Sequence, residues 1–109
     1  MNNRLKAFIL AKSLKGEDII LYVKEFPELE KYAKHLEETA RKKFAITEGT
    51  LPMFMIEEID WFWLGEFVEY GRLGFCYDME KRAFMFLYEG TQGIRALRFC
   101  HVLRKNGYL

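Results

Sequence analysis

Apolar residues recur at helical spacing near both ends of the chain and at strand-like spacing between them. From Arg4 to Leu14, Leu5, Phe8, Ile9 and Ala7, Leu10, Ala11, Leu14 follow the helical period, and Gly16 offers a left-handed stop. This predicts a first helix. Asp18 to Phe26 sets Ile19, Tyr22, Val23 and Phe26 on one helical face, and although Ile-Ile-Leu-Tyr-Val also has strand propensity, the face argues for a second helix. Pro27 suits a first helical turn, after which Leu29, Tyr32, Ala33, Leu36 and Ala40 form a clean stripe. Glu30/Lys34, Glu37/Arg41 and Glu38/Lys42 stand in the favourable i,i+4 order of a third helix.

Thr47 to Pro52 reads as a turn, and Met53 to Ile59 fits either a short helix or the lead-in to a strand. Trp61 to Tyr70, Arg72 to Tyr77 and Ala83 to Tyr88 then read as three antiparallel strands, separated by Gly71 and by Asp78-Met79-Glu80-Lys81. Gly90-Thr91-Gln92-Gly93 interrupts the pattern, and Ile94 to Lys105 reads as a last helix closed by Asn106-Gly107. The expected fold is α+β: three N-terminal helices, a three-stranded antiparallel β-meander and a C-terminal helix. At 109 residues the chain is read as a single domain over 1–109, since two cores would each be too small to stand alone.

Ten of the eighteen aromatic residues fall between Trp61 and Tyr88, more apolar surface than one small core obviously needs. Strand alternation puts Phe75 and Tyr77 on one face of the second strand and Phe84, Phe86 and Tyr88 on one face of the third, with Trp61, Trp63 and Phe67 on one face of the first. Such a wall serves a core first, and after that a subunit interface, where Trp, Tyr and Phe are enriched. A platform for nucleic-acid bases fits less well, because Glu66, Glu69, Asp78, Glu80 and Glu89 would repel phosphates.

Charge changes the picture at the C-terminus. Residues 1–50 hold ten basic and eight acidic side chains, 51–90 three and eight, and 91–109 four and none. On the last helix Arg95, Arg98, His101 and Lys105 advance by three or four residues as one basic stripe, ahead of which Gly90, Thr91, Gln92 and Gly93 could present backbone N–H groups to an anion. At those two glycines alone the turn resembles the GxxG loop of KH domains, a family that sets the loop between two helices and not after a strand.

Other chemistry is sparse. His35, His101, Cys76 and Cys100 include no C-x₂-C or H-x₃-H pair, so neither metal nor cofactor is expected, and the cysteines read as free thiols. Ser13 is the sole serine, and Glu57, Glu58 and Asp60 form an acidic group of the kind usually found on a solvated face. No apolar run approaches a membrane span, and no export signal is evident, which argues for a cytoplasmic protein. Only four Asn and Gln residues among many Lys, Glu and Arg hint at a hot environment.

The sequence thus suggests a small non-enzymatic binding protein, a homo-oligomer, offering a basic C-terminal helix to nucleic acid or an acidic protein. Two alternatives stand beside it: a structural or interaction subunit using the aromatic sheet, and an enzyme holding a phosphorylated substrate at the 90–93 turn.

Overall fold

The computed structural model describes residues 3–67, 73–87 and 90–109. The elements run α1 (Asn3–Lys15), β1 (Ile19–Tyr22), a 3-10 turn (Pro27–Leu29), α2 (Glu30–Phe44), β2 (Thr50–Leu51), α3 (Met53–Ile59), α4 (Trp63–Phe67), β3 (Cys76–Asp78), β4 (Ala83–Phe86) and α5 (Gln92–Lys105). The class is α+β, with five helices and a four-stranded antiparallel sheet among the described residues. Gly16, at φ 66°, ends α1 as its position suggested, and Gly107, at φ 83°, follows the end of α5.

The sheet order is β1-β4-β3-β2, so the predicted meander contributes only its last two strands. The segment read as a second helix is β1 instead: Ile19 faces Phe86 and Leu21 faces Phe84 across an antiparallel ladder. The two β-branched isoleucines suit a pleated surface, and the ladder pairs the backbone groups that a lone helical turn would have left exposed. Thr50 and Leu51 form the opposite edge, against Asp78 and Tyr77.

The first predicted strand is also corrected. Trp63–Phe67 is helical, entered by turns in which Trp63 N–H donates to Asp60 O and Leu64 N–H to Trp61 O. Trp61 to Leu64 is apolar without a break and carries no usable period, so alternation was a poor guide there. Residues 68–70 of that prediction lie outside the described residues. The open choice at 53–59 resolves as helix α3, with Pro52 at its N-cap.

One face of the sheet is covered and the other is partly open. Inward-facing Ile19, Leu21, Leu51, Tyr77, Phe84 and Phe86 are buried, whereas Ile20, Tyr22, Cys76 and Met85 on the other face are half-exposed. Phe99 of α5 is the hub, its ring 4.9 Å from those of Phe75 and Phe84, 5.4 Å from Phe86 and stacked at 5.8 Å on Trp63. The hairpin between β3 and β4 is set by the Asp78 carboxylate, which accepts from the N–H groups of Glu80 and Lys81 at 2.9 Å each. Arg82 then turns, at φ 53°, to reach Glu30 and Glu37 of α2.

Candidate functional site

Two constellations stand out, one polar and largely buried, the other on the surface. The first joins α2 to the α3–α4 turn. Tyr32 and His35 lie one helical turn apart and so share a face of α2. The Trp63 indole N–H donates to the Tyr32 oxygen at 2.7 Å, and the Tyr32 hydroxyl donates to Asp60 Oδ2 at 2.8 Å. His35 Nε2 donates to the second carboxylate oxygen at 2.7 Å. Asp60 is 6% exposed, and both its oxygens are engaged. A buried carboxylate is tolerable only when its charge is met in this way.

The chain of bonds shifts its members. The hydrogen bond to Asp60 raises the His35 pKa above its ordinary value, against the opposing pull of burial. Burial, with the Asp60 charge next, raises that of Tyr32 well above the tyrosine range. The C-terminal segment closes over the cluster: the Tyr108 ring lies 4.9 Å from Tyr32 and 5.5 Å from His35, and Lys31 Nζ donates to Gly107 O at 2.8 Å. An imidazole oriented by a carboxylate can take up a proton at its outer nitrogen. The only serine, Ser13, lies elsewhere against Gly93, so the dyad has no hydroxyl nucleophile beside it from that source. Sequence reasoning missed this cluster. The Tyr32/His35 spacing was readable, but nothing local brings Asp60 to them.

The second constellation is the outer surface of α5 and α1. Of the residues expected there, His101 and Lys105 are exposed and Arg98 half-buried, as a solvent stripe requires. Arg95 is corrected: it is 9% exposed, and its side chain lies against Gly74, where an added Cβ would meet Arg95 Cδ at 2.1 Å. Each step of three residues turns a stripe back by about 60°, which carries Arg95 round to the edge of the core.

The 90–93 turn is packed, not open. Gly90 is exposed at φ 89°, but Gln92 is 3% exposed and its Nε2 donates to Glu17 O at 3.1 Å. A Cβ at Gly93 would meet Ser13 Oγ at 2.1 Å, so α1 and α5 cross at this pair, and the Thr91 hydroxyl is buried without a hydrogen-bond partner among the described residues. Glycine at 93 thus serves close helix packing.

The expected interface aromatics separate. Trp63, Phe75, Tyr77, Phe84 and Phe86 are all at most 3% exposed within one chain, because all five are packed into its hydrophobic core. Trp61 is 74% exposed; the side chain of Phe67 and all of Tyr88 lie outside the described residues. Other large apolar side chains are exposed as well: Leu10 and Leu14 of the first helical stripe, Phe54 on α3, Leu64 on α4 and Ile94 on α5, whose spacing on the last helix had suggested an inward position.

The two basic ends of the chain meet in this surface. Helix α1 carries Arg4, Lys6, Lys12 and Lys15, and α5 carries Arg95, Arg98, Arg104 and Lys105, with no carboxylate on either. Eight of the seventeen Lys and Arg residues thus share two crossing helices with none of the sixteen acids. Among the described residues no group of three His, Cys, Asp or Glu is placed to hold a metal ion, and no helix is long and apolar enough to cross a membrane. Comparison with protein-family models, with curated proteins and with solved structures found no match to this chain.

Proposed function

We propose that the chain is a binding protein whose working surface is the outer face of α5 with α1 beside it, and that its partner is an acidic protein surface. One observation carries this reading. The face combines positive charge with exposed aliphatic side chains: Ile94 is 51% exposed, Leu14 90% and Leu10 41%, among Lys6, His101, Arg104 and Lys105, without a carboxylate on either helix. Contacts to a phosphate backbone call for cations and polar donors, and leucine or isoleucine adds little to them. A protein interface calls for an apolar centre inside a charged rim. The burial of Arg95 further thins the basic stripe that nucleic acid would need.

Fluorescence anisotropy with a labelled amphipathic peptide of Glu and Leu at helical spacing tests the reading. Binding at low salt, weakened by salt and lost about tenfold in Ile94→Asp, is expected. Failure to bind the peptide at low salt overturns it. A 20-base-pair duplex that binds more tightly than the peptide, with affinity falling steeply in salt, would put nucleic acid in its place.

A further inference from the structure

A second feature, independent of the α1/α5 face, lies on the partly open side of the sheet. Cys76 of β3 and Met85 of β4 are directly opposite each other in the antiparallel ladder and both are half-exposed, so their side chains stand next to one another on that face. Residues paired in this way have Cβ atoms roughly 5 Å apart. Met53, the first residue of α3, reaches the same place, and its thioether accepts the Gly74 N–H at 3.0 Å. Met53, Cys76 and Met85 line one hollow of about 160 Å³ together with Gly74, Phe75 and Leu87. Three sulfur-bearing side chains therefore border a single space, and no carboxylate, imidazole or side-chain amide is among the described residues that line it.

We infer that this hollow is a site for a soft monovalent metal ion, copper(I), held by the Cys76 thiolate and the Met53 and Met85 thioethers. Thiolate and thioether sulfur select soft ions, and a hollow otherwise walled by Phe75 and Leu87 offers a hard ion such as Mg²⁺ no side-chain oxygen. Charge decides among the soft ions. One thiolate neutralises one positive charge, so copper(I) sits in apolar surroundings as a neutral group, whereas Zn²⁺ would keep a net charge there and lack its usual four ligands. The Cys76 S–H bond breaks as the sulfur–copper bond forms, the proton passes to solvent, and copper stays in the +1 state throughout. A thioether sulfur has two lone pairs, so the bond from Gly74 N–H orients Met53 and leaves one pair for the ion. The unbranched Met85 side chain has the freedom to bring the third sulfur in. The expectation of no metal, drawn from His and Cys spacing, did not weigh thioethers.

Anaerobic titration with copper(I) against a chromogenic chelator tests the assignment. The wild-type chain should take up one ion, and Cys76→Ser, at a half-exposed position, should lose it. Met53→Leu and Met85→Leu keep volume and apolarity and so keep the fold. Each should nonetheless weaken binding at least about tenfold, since loss of even an outer-shell partner commonly costs that much. Met79→Leu, outside the hollow, should bind as the wild type does. X-ray absorption at the copper edge of the loaded wild-type chain gives a reading that needs no variant. It should show sulfur neighbours alone, three in number, with the mass of the protein unchanged on loading.

A wild-type chain that fails to take copper(I) from the chelator overturns the inference. So does binding that either Met→Leu variant leaves unchanged, which would reduce the site to capture by a thiol. Copper that bridges two chains through Cys76, or that equimolar Zn²⁺ displaces, overturns it as well.

Discussion

His35 Nε2 stands 2.7 Å from Asp60 Oδ1, and the carboxylate's other oxygen is held by Tyr32, so protonation of the imidazole completes an ion pair at the margin of the core. The His35 pKa is raised in the fold by its hydrogen bond to Asp60 and by the charges of Asp60 and Glu38, while burial works against them. A raised pKa means that the folded state holds the proton more tightly than the unfolded chain does. The resulting stability is fully present below the unfolded value of about 6.5 and is lost as pH rises through the folded value. The urea midpoint should therefore fall between about pH 6 and pH 8. His35→Gln, which keeps an N–H donor and removes the charge, should flatten that slope. An unchanged slope in the variant would mean that the pair does not titrate as argued.

Tyr32 is the middle of the chain of bonds, and Tyr32→Phe removes one hydroxyl that serves two partners. The Trp63 indole N–H loses its acceptor and Asp60 Oδ2 its donor, both in buried surroundings. Leaving such groups unsatisfied costs about 1–3 kcal/mol, measurable by urea denaturation. Because the bonds form one network, Asp60→Asn combined with Tyr32→Phe should cost less than the two separately. Additive effects would show that the groups act independently.

Much of the helical framework was legible because its signals are local. Leu29, Tyr32, Ala33, Leu36 and Ala40, read as one stripe, are all buried, and Gly16 and Pro27 stand at the boundaries their backbone preferences imply. The errors fall where two periods compete. Ile19–Tyr22 satisfies a helical face and a strand, and only its pairing with Ala83–Phe86, more than sixty residues away, selects the strand. Trp63 looked like a strand residue until its stack on Phe99 and its bond to Tyr32 are known. The polar cluster hid for the same reason, since His35 and Asp60 are 25 residues apart. Charge segregation was visible as numbers along the chain. That the two basic ends lie side by side is a fact of the fold.

Gly93 and Ser13 make a test of that end-to-end packing. A methyl group at 93 would fall 2.1 Å from Ser13 Oγ and 2.6 Å from its Cβ, with the Ser13 backbone more distant at 3.7 Å. The obstruction is therefore the serine side chain. Gly93→Ala should destabilise by about 1–3 kcal/mol through overpacking, even though alanine is the better helix former. Ser13→Gly alone should cost about 0.5–1 kcal/mol, as glycine does within a helix. Together they should be less destabilised than Gly93→Ala by itself, because the second change removes both colliding atoms. A double variant as unstable as the sum would show that the close approach is not where the strain arises.

The two free thiols should differ in reactivity, because their surroundings differ more than their chemistry does. Burial in the core pushes the Cys100 thiol up to about 12, and Cys76, half-exposed on the open sheet face, is raised by partial burial and by the nearby Asp78 charge. The thiolate is the reacting species, so both should lag a free cysteine, whose pKa is about 8.5. At pH 8 a disulfide-exchange reagent should label one thiol per native chain, slowly, and the second only after denaturant is added. Mass spectrometry of the labelled peptide should place the first label on Cys76. Equal labelling of both cysteines in the native protein would contradict the burial of Cys100 on the inner side of α5.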